Sequence, residues 1–78
     1  MKRSRSYKFV YVCPNYFVGT KYYKFHSDEE AIEFSKTWNE HNDKRHLVWI
    51  EVARTTKNNE EYYQILHNAV FSDYAFEN

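Results

Sequence analysis

The chain contains few of the residues that build common catalytic motifs or disulfide-stapled folds: its 78 residues include one glycine, one proline and one cysteine. The single cysteine, Cys13, excludes an internal disulfide and is typical of a protein in a reducing compartment. One glycine cannot form a glycine-rich phosphate loop, and no Gly-x-Ser-x-Gly motif occurs. No apolar run approaches the ~20 residues of a membrane span, and residues 9–13 are too few for a signal-peptide core. We therefore expect a cytoplasmic, non-catalytic protein without membrane contact or cofactor.

Acidic side chains are missing from the first 27 residues, because the first one is Asp28. Six basic and eight aromatic residues occupy this segment instead: Lys2, Arg3, Arg5, Lys8, Lys21, Lys24, Tyr7, Phe9, Tyr11, Tyr16, Phe17, Tyr22, Tyr23 and Phe25. The remainder of the chain holds 11 acidic residues against 5 basic ones. A formal net charge of zero therefore hides a basic, aromatic segment joined to an acidic one.

The hydrophobic residues that are present are mostly aromatic. The chain has 6 Phe, 8 Tyr and 2 Trp, but only 3 Ile and 2 Leu. Large rings bury much area each, which helps a single small domain to form a core. Not all of them fit inside so short a chain, and exposed aromatic side chains tend to mark a binding surface or a subunit interface.

The first half of the chain predicts a flexible arm, a hairpin and a helix. Residues 1–6 are polar and basic and predict a flexible arm ahead of a single domain over residues 7–78. Residues 7–13 and 16–25 predict two strands joined by a Pro14-Asn15 turn, with Gly19 as a bulge or second turn. Ser27 and Glu30 then form a capping box that begins a helix. One stripe of the helix is predicted to face the core: Ala31, Phe34, Ser35 and Trp38. Residues 39–43 lose this pattern and are predicted to end the helix.

The second half predicts a third strand and one ambiguous segment. Residues 47–53 alternate with period two, which places Val48, Ile50 and Val52 on one face. Residues 58–70 fit a second capped helix, which we favour, or an Asn58-Asn59 hairpin turn followed by a fourth strand. The fold class is therefore α+β: a small antiparallel sheet of three to four strands in the order β-β-α-β, then helix or strand, with one or two helices packed on it.

The first strand is apolar on both faces, so that a single helix leaves one face uncovered. If Val10 and Val12 contact the helix, the rings of Tyr7, Phe9 and Tyr11 form an open face that stacks unpaired bases. Tyr22, Lys24 and Trp49 would lie beside them. The sequence thus predicts a small regulator that binds RNA or single-stranded nucleic acid through these residues: Lys2, Arg3, Arg5, Lys8, Tyr11, Lys21, Tyr22 and Lys24.

Three other functions fit parts of the pattern. A protein inhibitor or adaptor would use the exposed aromatic face without nucleic acid. The basic segment of one copy can meet the acidic segment of another, which predicts a homo-oligomer. A small ribonuclease would use histidines and neighbouring bases: His26, His41, His46, Lys44 and Arg45. Neither these histidines nor Cys13 have the spacing of a zinc site, and we expect no metal.

The amino-acid usage also indicates a gene from an AT-rich genome. Residues with AT-rich codons (Phe, Tyr, Met, Ile, Asn and Lys) total 32, whereas those with GC-rich codons (Gly, Ala, Arg and Pro) total 10. Many bacteriophages and mobile elements have such genomes. The composition therefore favours an accessory protein that modulates a host factor.

Overall fold

The computed structural model describes residues 3–13, 17–38, 44–55 and 57–71. It contains these elements: β1 (Arg5–Val12), β2 (Val18–Phe25), α1 (Asp28–Lys36), β3 (His46–Thr55) and β4 (Glu60–His67). A single helical turn follows at residues 69–71. The strands form one sheet in the order β2-β1-β3-β4, and every neighbouring pair is antiparallel. This architecture confirms the α+β prediction.

The hairpin of β1 and β2 forms as predicted, with two differences in detail. β1 begins at Arg5, which pairs with Phe25, so the basic arm is shorter than the predicted residues 1–6. Gly19 lies in register opposite Tyr11 and forms neither a bulge nor a turn. The backbone N–H of Cys13 donates to the carbonyl of Phe17 at 2.9 Å and closes the hairpin. The predicted Pro14-Asn15 turn lies outside the described residues.

Helix α1 begins at the predicted cap. The Ser27 hydroxyl accepts a hydrogen bond from the Glu30 backbone N–H at 3.2 Å, and the Glu30 carboxylate accepts one from the His26 N–H at 3.0 Å. The first bond is that of a capping box, whereas the second joins Glu30 to the residue before the N-cap rather than to the N–H of Ser27. Three acidic residues in the first turn and Lys36 in the last complement the helix dipole. Residues 39–43, where the sequence ends the helix, lie outside the described part of the chain.

Strand β3 departs from strict alternation at Val48. Its pairing with β1 shifts by one residue there, which is the geometry of a β-bulge. As a result Leu47, rather than Val48, joins Ile50 in the hydrophobic cluster beneath the helix. Val48 is buried outside that cluster. The prediction that Val48 shares a face with Ile50 and Val52 is therefore wrong.

Of the two alternatives for residues 58–70, the favoured helix is wrong and the fourth strand is confirmed, because Glu60–His67 forms strand β4 along the free edge of β3. Pairing there satisfies the outward-facing backbone groups of β3, which a helix would leave without ladder partners. A second shift in the ladder, between Gln64 and Leu66, leaves Ile65 without a partner residue on β3. Ile65 and Leu66 consequently both pack against the core. Adjacent core-facing residues are normal in a helix and unusual in a strand, which explains the helical appearance of this segment.

The hydrophobic core lies between the sheet and α1. Its buried members come from β1, β3 and the helical segment: Tyr7, Phe9, Tyr11, Ala31, Trp38, Leu47, Ile50 and Val52. Half-buried rings of β2 and α1 close the side of this layer, with Phe9 in edge-on contact with Tyr23 (5.0 Å) and Phe34 (5.8 Å). Aromatic side chains thus provide most of the core, as the composition predicts.

Candidate nucleic-acid interface

The face of β1 that contacts the helix is the opposite of the one that the predicted base-stacking surface requires. Tyr7 and Phe9 have no exposed surface, and Tyr11 is 8% exposed. All three belong to the cluster beneath α1, whereas Val10 and Val12 lie on the other face of the sheet. The larger rings occupy the covered face because burying them removes more apolar area from water.

Tyr11 is the predicted site residue that this placement removes. Its ring lies 5.6 Å from that of Trp38, with the Arg45 guanidinium 5.2 Å from the ring centre. Gly19 lies directly against the same ring, since an added Cβ there would be 2.5 Å from Tyr11 Cζ. The Tyr11 side chain is therefore a core residue and cannot stack on a base.

The sheet face opposite α1 is covered at Val10 and Val12, which are 3% and 2% exposed, and is uncovered toward β2; we call it the open face. Its uncovered part brings together three other predicted residues. Lys8 on β1 pairs directly with Tyr22 on β2, and Ser6 pairs with Lys24. Tyr22 is 59% exposed, the largest exposure of any aromatic ring within the paired strands that the structure describes. An exposed ring with a lysine on either side has the arrangement of a single base-stacking position with phosphate contacts.

Two further aromatic residues extend the open face toward β4. Trp49 pairs with Val10 and is half-buried, and Tyr62 pairs with Ala53 and is 38% exposed. The sequence predicts no role for Tyr62, because a helix is the favoured of the two alternatives for residues 58–70. The Tyr62-Tyr63 pair, typical of strands, was the signal that could have identified it.

The formal charges of the open face cancel, since two lysines, Lys8 and Lys24, share it with two glutamates, Glu51 and Glu60. Lys8 pairs across the sheet with Glu51, whose carboxylate also accepts a hydrogen bond from the Trp49 indole. Glu60 lies on the same face at the start of β4. Because opposite charges offset each other at this range, phosphate attraction would rest mainly on Lys24 and on the uncompensated part of Lys8.

The remaining predicted basic residues lie elsewhere. Arg5 and Lys21 pair with Phe25 and Phe9 and therefore project from the helix side of the sheet. Arg3 is exposed ahead of β1, and Lys2 lies outside the described residues. The basic segment is thus divided between two faces, because successive residues of a strand point to opposite sides.

A polar network on the helix side joins α1 to the β3–β4 hairpin. The Tyr7 hydroxyl donates to Asp28 Oδ1 at 2.6 Å, and Arg54 Nη2 lies 3.9 Å from Asp28 Oδ2. Burial and this hydrogen bond raise the pKa of the Tyr7 phenol well above its usual range. Arg54 also covers the Tyr63 ring, and a hydrogen bond to Glu61 raises the pKa of Tyr63. The network positions the start of α1, and no sequence pattern indicated it.

Two of the histidines that a ribonuclease would use, His26 and His46, lie at opposite ends of the sheet. His26 follows β2 at the end of the sheet where Phe25 pairs with Arg5, whereas His46 pairs with Val12 at the opposite end. The eight residues of β1 separate these ends by roughly 23 Å, at about 3.3 Å per residue. His46 instead stacks on Phe71 at 4.5 Å, and His41 lies outside the described residues. An acid–base pair of His26 and His46 is excluded by this distance.

Within residues 3–13, 17–38, 44–55 and 57–71, no three side chains of His, Cys, Asp or Glu come close enough to hold a metal ion. None of the helices in the same residues has the length and hydropathy needed to cross a bilayer. Comparisons of the chain with protein-family models, with curated proteins and with solved structures gave no match. A functional assignment therefore depends on the chemistry of the surfaces described above.

Proposed function

We propose that this protein binds RNA or another single-stranded nucleic acid through the open face of its sheet, as a regulator without catalytic activity. The observation that carries the proposal is the exposed Tyr22 ring, which is 59% accessible and adjoins Lys8, with Lys24 two residues along the same strand face. Stacking on an aromatic ring contributes about 1–3 kcal/mol per base and does not depend on base identity.

The proposed site differs from the one that the sequence alone suggested. Tyr22, with Trp49 and Tyr62 farther along the face, replaces the rings of β1 as the stacking surface. In the proposed site Lys8 and Lys24 contact phosphates, and Arg3, which is exposed ahead of β1, is a third candidate for such a contact. With two or three phosphate contacts, the logarithm of the binding constant falls with that of the salt concentration with a slope of about −1.4 to −2.

The setting of the proposed function follows from the composition. A lone cysteine, half-buried against the core, is compatible with the reducing cytoplasm. The excess of amino acids that have AT-rich codons favours a phage or mobile element, in which a small regulator of this kind modulates a host factor. No cofactor takes part in the proposed binding.

The test compares surface variants on the two sides of the sheet. Binding of a labelled single-stranded RNA of mixed sequence is measured by fluorescence anisotropy over a range of salt concentrations. We expect Tyr22→Ala to weaken binding by about 5- to 150-fold, the equivalent of one stacked base. The Lys8→Gln/Lys24→Gln double variant is expected to reduce the salt slope by about 1.4.

Matched controls lie on the helix side. Tyr63→Ala removes a ring that is 41% exposed, and Lys36→Gln removes an exposed charge, both away from the open face. Neither is expected to change binding by more than about twofold, because non-contacting surface changes stay within about 0.5 kcal/mol. Equal losses on both sides would contradict the proposed site. Absence of binding at ~0.1 mM protein and low salt would reject nucleic-acid binding and direct attention to a protein partner.

A further inference from the structure

The two edges of the sheet carry complementary chemistry. β2, at one edge, contains Lys21 and Lys24 with two tyrosines between them. β4, at the other edge, begins with Glu60 and Glu61, which two tyrosines follow. Exposed large rings occur on both edges: Tyr22, Tyr62 and Tyr63. Each edge strand also presents main-chain N–H and C=O groups that can pair with a further strand.

The strand directions allow the two edges to join. Because the order is β2-β1-β3-β4 and all neighbours are antiparallel, β2 and β4 run in opposite directions. Placing β2 of a second copy beside β4 of the first therefore continues one antiparallel sheet. In this arrangement the helices of both copies lie on the same side, and their open faces form one continuous surface.

We propose that copies of this chain associate head to tail through β4 of one copy and β2 of the next, with Lys24 opposite Glu60. This register also sets Tyr22 opposite Tyr62. Lys24 pairs with Ser6, and Glu60 pairs with Thr55, which places both on the open face, so the register keeps each face continuous. Both an opposite-charge pair and an aromatic pair stabilise neighbouring strands when they lie directly across from each other.

The bulge in β4 defines the length of the contact. Residues 60–64 form a regular segment before the ladder skips Ile65, and in the proposed register they meet residues 24–20 of the second copy. Five residue pairs are about the length of an average strand. The contact is heterologous, and the free edges at both ends of a pair recruit further copies.

The alternative edge pairings are disfavoured by charge. Pairing two β2 strands joins two basic segments, and pairing two β4 strands joins two acidic ones, so neither offers the opposite-charge pair of the β4–β2 contact. Lysines on edge strands are also common as a protection against unwanted pairing. A lysine with that protective role needs no acidic residue opposite it, whereas the head-to-tail contact requires that Lys24 and Glu60 carry opposite charges.

Charge reversal distinguishes these possibilities. We expect the weight-average mass of nuclease-treated wild-type protein, measured by light scattering or sedimentation equilibrium, to rise above the 9.6 kDa monomer with concentration. Lys24→Glu alone places two glutamates in contact, and Glu60→Lys alone places two lysines in contact. Each single variant is expected to weaken association on the order of tenfold. The Lys24→Glu/Glu60→Lys double variant is expected to recover most of this loss.

A mixture supplies the second measurement. In an equimolar mixture of the two single variants, each β2 finds an oppositely charged β4 on the other variant, so association is expected to return although neither variant associates well alone. Lys36→Glu, on the exposed side of α1, is the control and should leave association unchanged. Removal of nucleic acid, verified by absorbance at 260 nm, separates this contact from the proposed function.

Two results would overturn the proposal. One is a wild-type protein that stays monomeric at its highest soluble concentration. The other is weakened association in both single variants without recovery in the double variant or in the mixture. Circular dichroism of each variant confirms that the sheet is intact, since both substitutions lie at exposed positions.

Discussion

Replacing Gly19 with alanine puts a methyl group where the structure already holds the Tyr11 ring. The new Cβ would lie 2.5 Å from Tyr11 Cζ and the hydroxyl oxygen and 2.9 Å from Cε2. Carbon atoms in good contact lie about 3.5–4.0 Å apart, so the ring must move by roughly an ångström. Trp38, with its ring 5.6 Å away, limits this movement within the core.

The change in the free energy of unfolding caused by Gly19→Ala is the sum of two opposing effects. Overpacking of a filled core typically costs about 1–3 kcal/mol. Alanine in a strand is otherwise more stable than glycine by about 0.5–1 kcal/mol, since it restricts the unfolded chain. We therefore expect Gly19→Ala to lower the free energy of unfolding by about 0.5–2 kcal/mol. In a Tyr11→Leu background the three contacting atoms are absent. Gly19→Ala is then expected to raise the free energy of unfolding by about 0.5–1 kcal/mol.

Urea unfolding, followed by tryptophan fluorescence and by far-ultraviolet circular dichroism, measures the four corners of this double-mutant cycle. Thr20→Ala, at the neighbouring exposed position, is the control and should have the same effect in both backgrounds. A coupling energy below about 0.5 kcal/mol between Gly19→Ala and Tyr11→Leu would show that the ring contact does not explain the glycine.

Two further predictions concern α1 and its attachment to the sheet. Tyr7→Phe removes the hydrogen bond to Asp28 and is expected to cost about 1–2 kcal/mol at neutral pH in urea unfolding. The pKa of Tyr7 is raised on folding, so the stabilisation of the wild-type protein by this hydrogen bond is complete below about pH 10. It is lost as the pH rises toward the folded-state pKa. The difference in unfolding free energy between wild type and Tyr7→Phe is therefore expected to shrink in alkaline titrations. A constant difference above pH 10 would contradict this assignment. Ser27→Ala removes the acceptor for the Glu30 N–H and should cost about 1 kcal/mol, whereas Ser27→Asp should restore it; equal losses in both would reject the cap.

The local part of the fold could be predicted because short-range patterns determine it. The β1–β2 hairpin follows from two runs of strand-forming residues around a turn signal. The start of α1 follows from the spacing of Ser27 and Glu30, which places two hydrogen bonds within one helical turn. The charge division at Asp28 was equally visible. These features depend on residues within a few positions of one another.

The candidate site was less predictable, because alternation groups the residues of a strand into two faces without saying which face is covered. The sequence grouped Tyr7, Phe9 and Tyr11 correctly, but the packing of α1 buried that group and left Tyr22 exposed and Lys8 half-buried on the other face. Burial is a property of the partner element, which lies far away in the sequence. The proposed stacking surface therefore lies on β2 rather than on β1.

The sequence by itself determined a small aromatic α+β domain with a capped helix and a basic N-terminal segment of 27 residues that lacks acidic residues. Only the tertiary structure decided that residues 60–67 form a strand, because the free edge of β3 offers hydrogen bonds that outweigh the local helical pattern. The bulge at Ile65 also interrupts the alternation of apolar and polar residues that would identify a strand in the sequence. It also decided that Lys24 and Glu60 lie at opposite edges on one face. Such placements arise from pairing between distant segments, which no local pattern specifies.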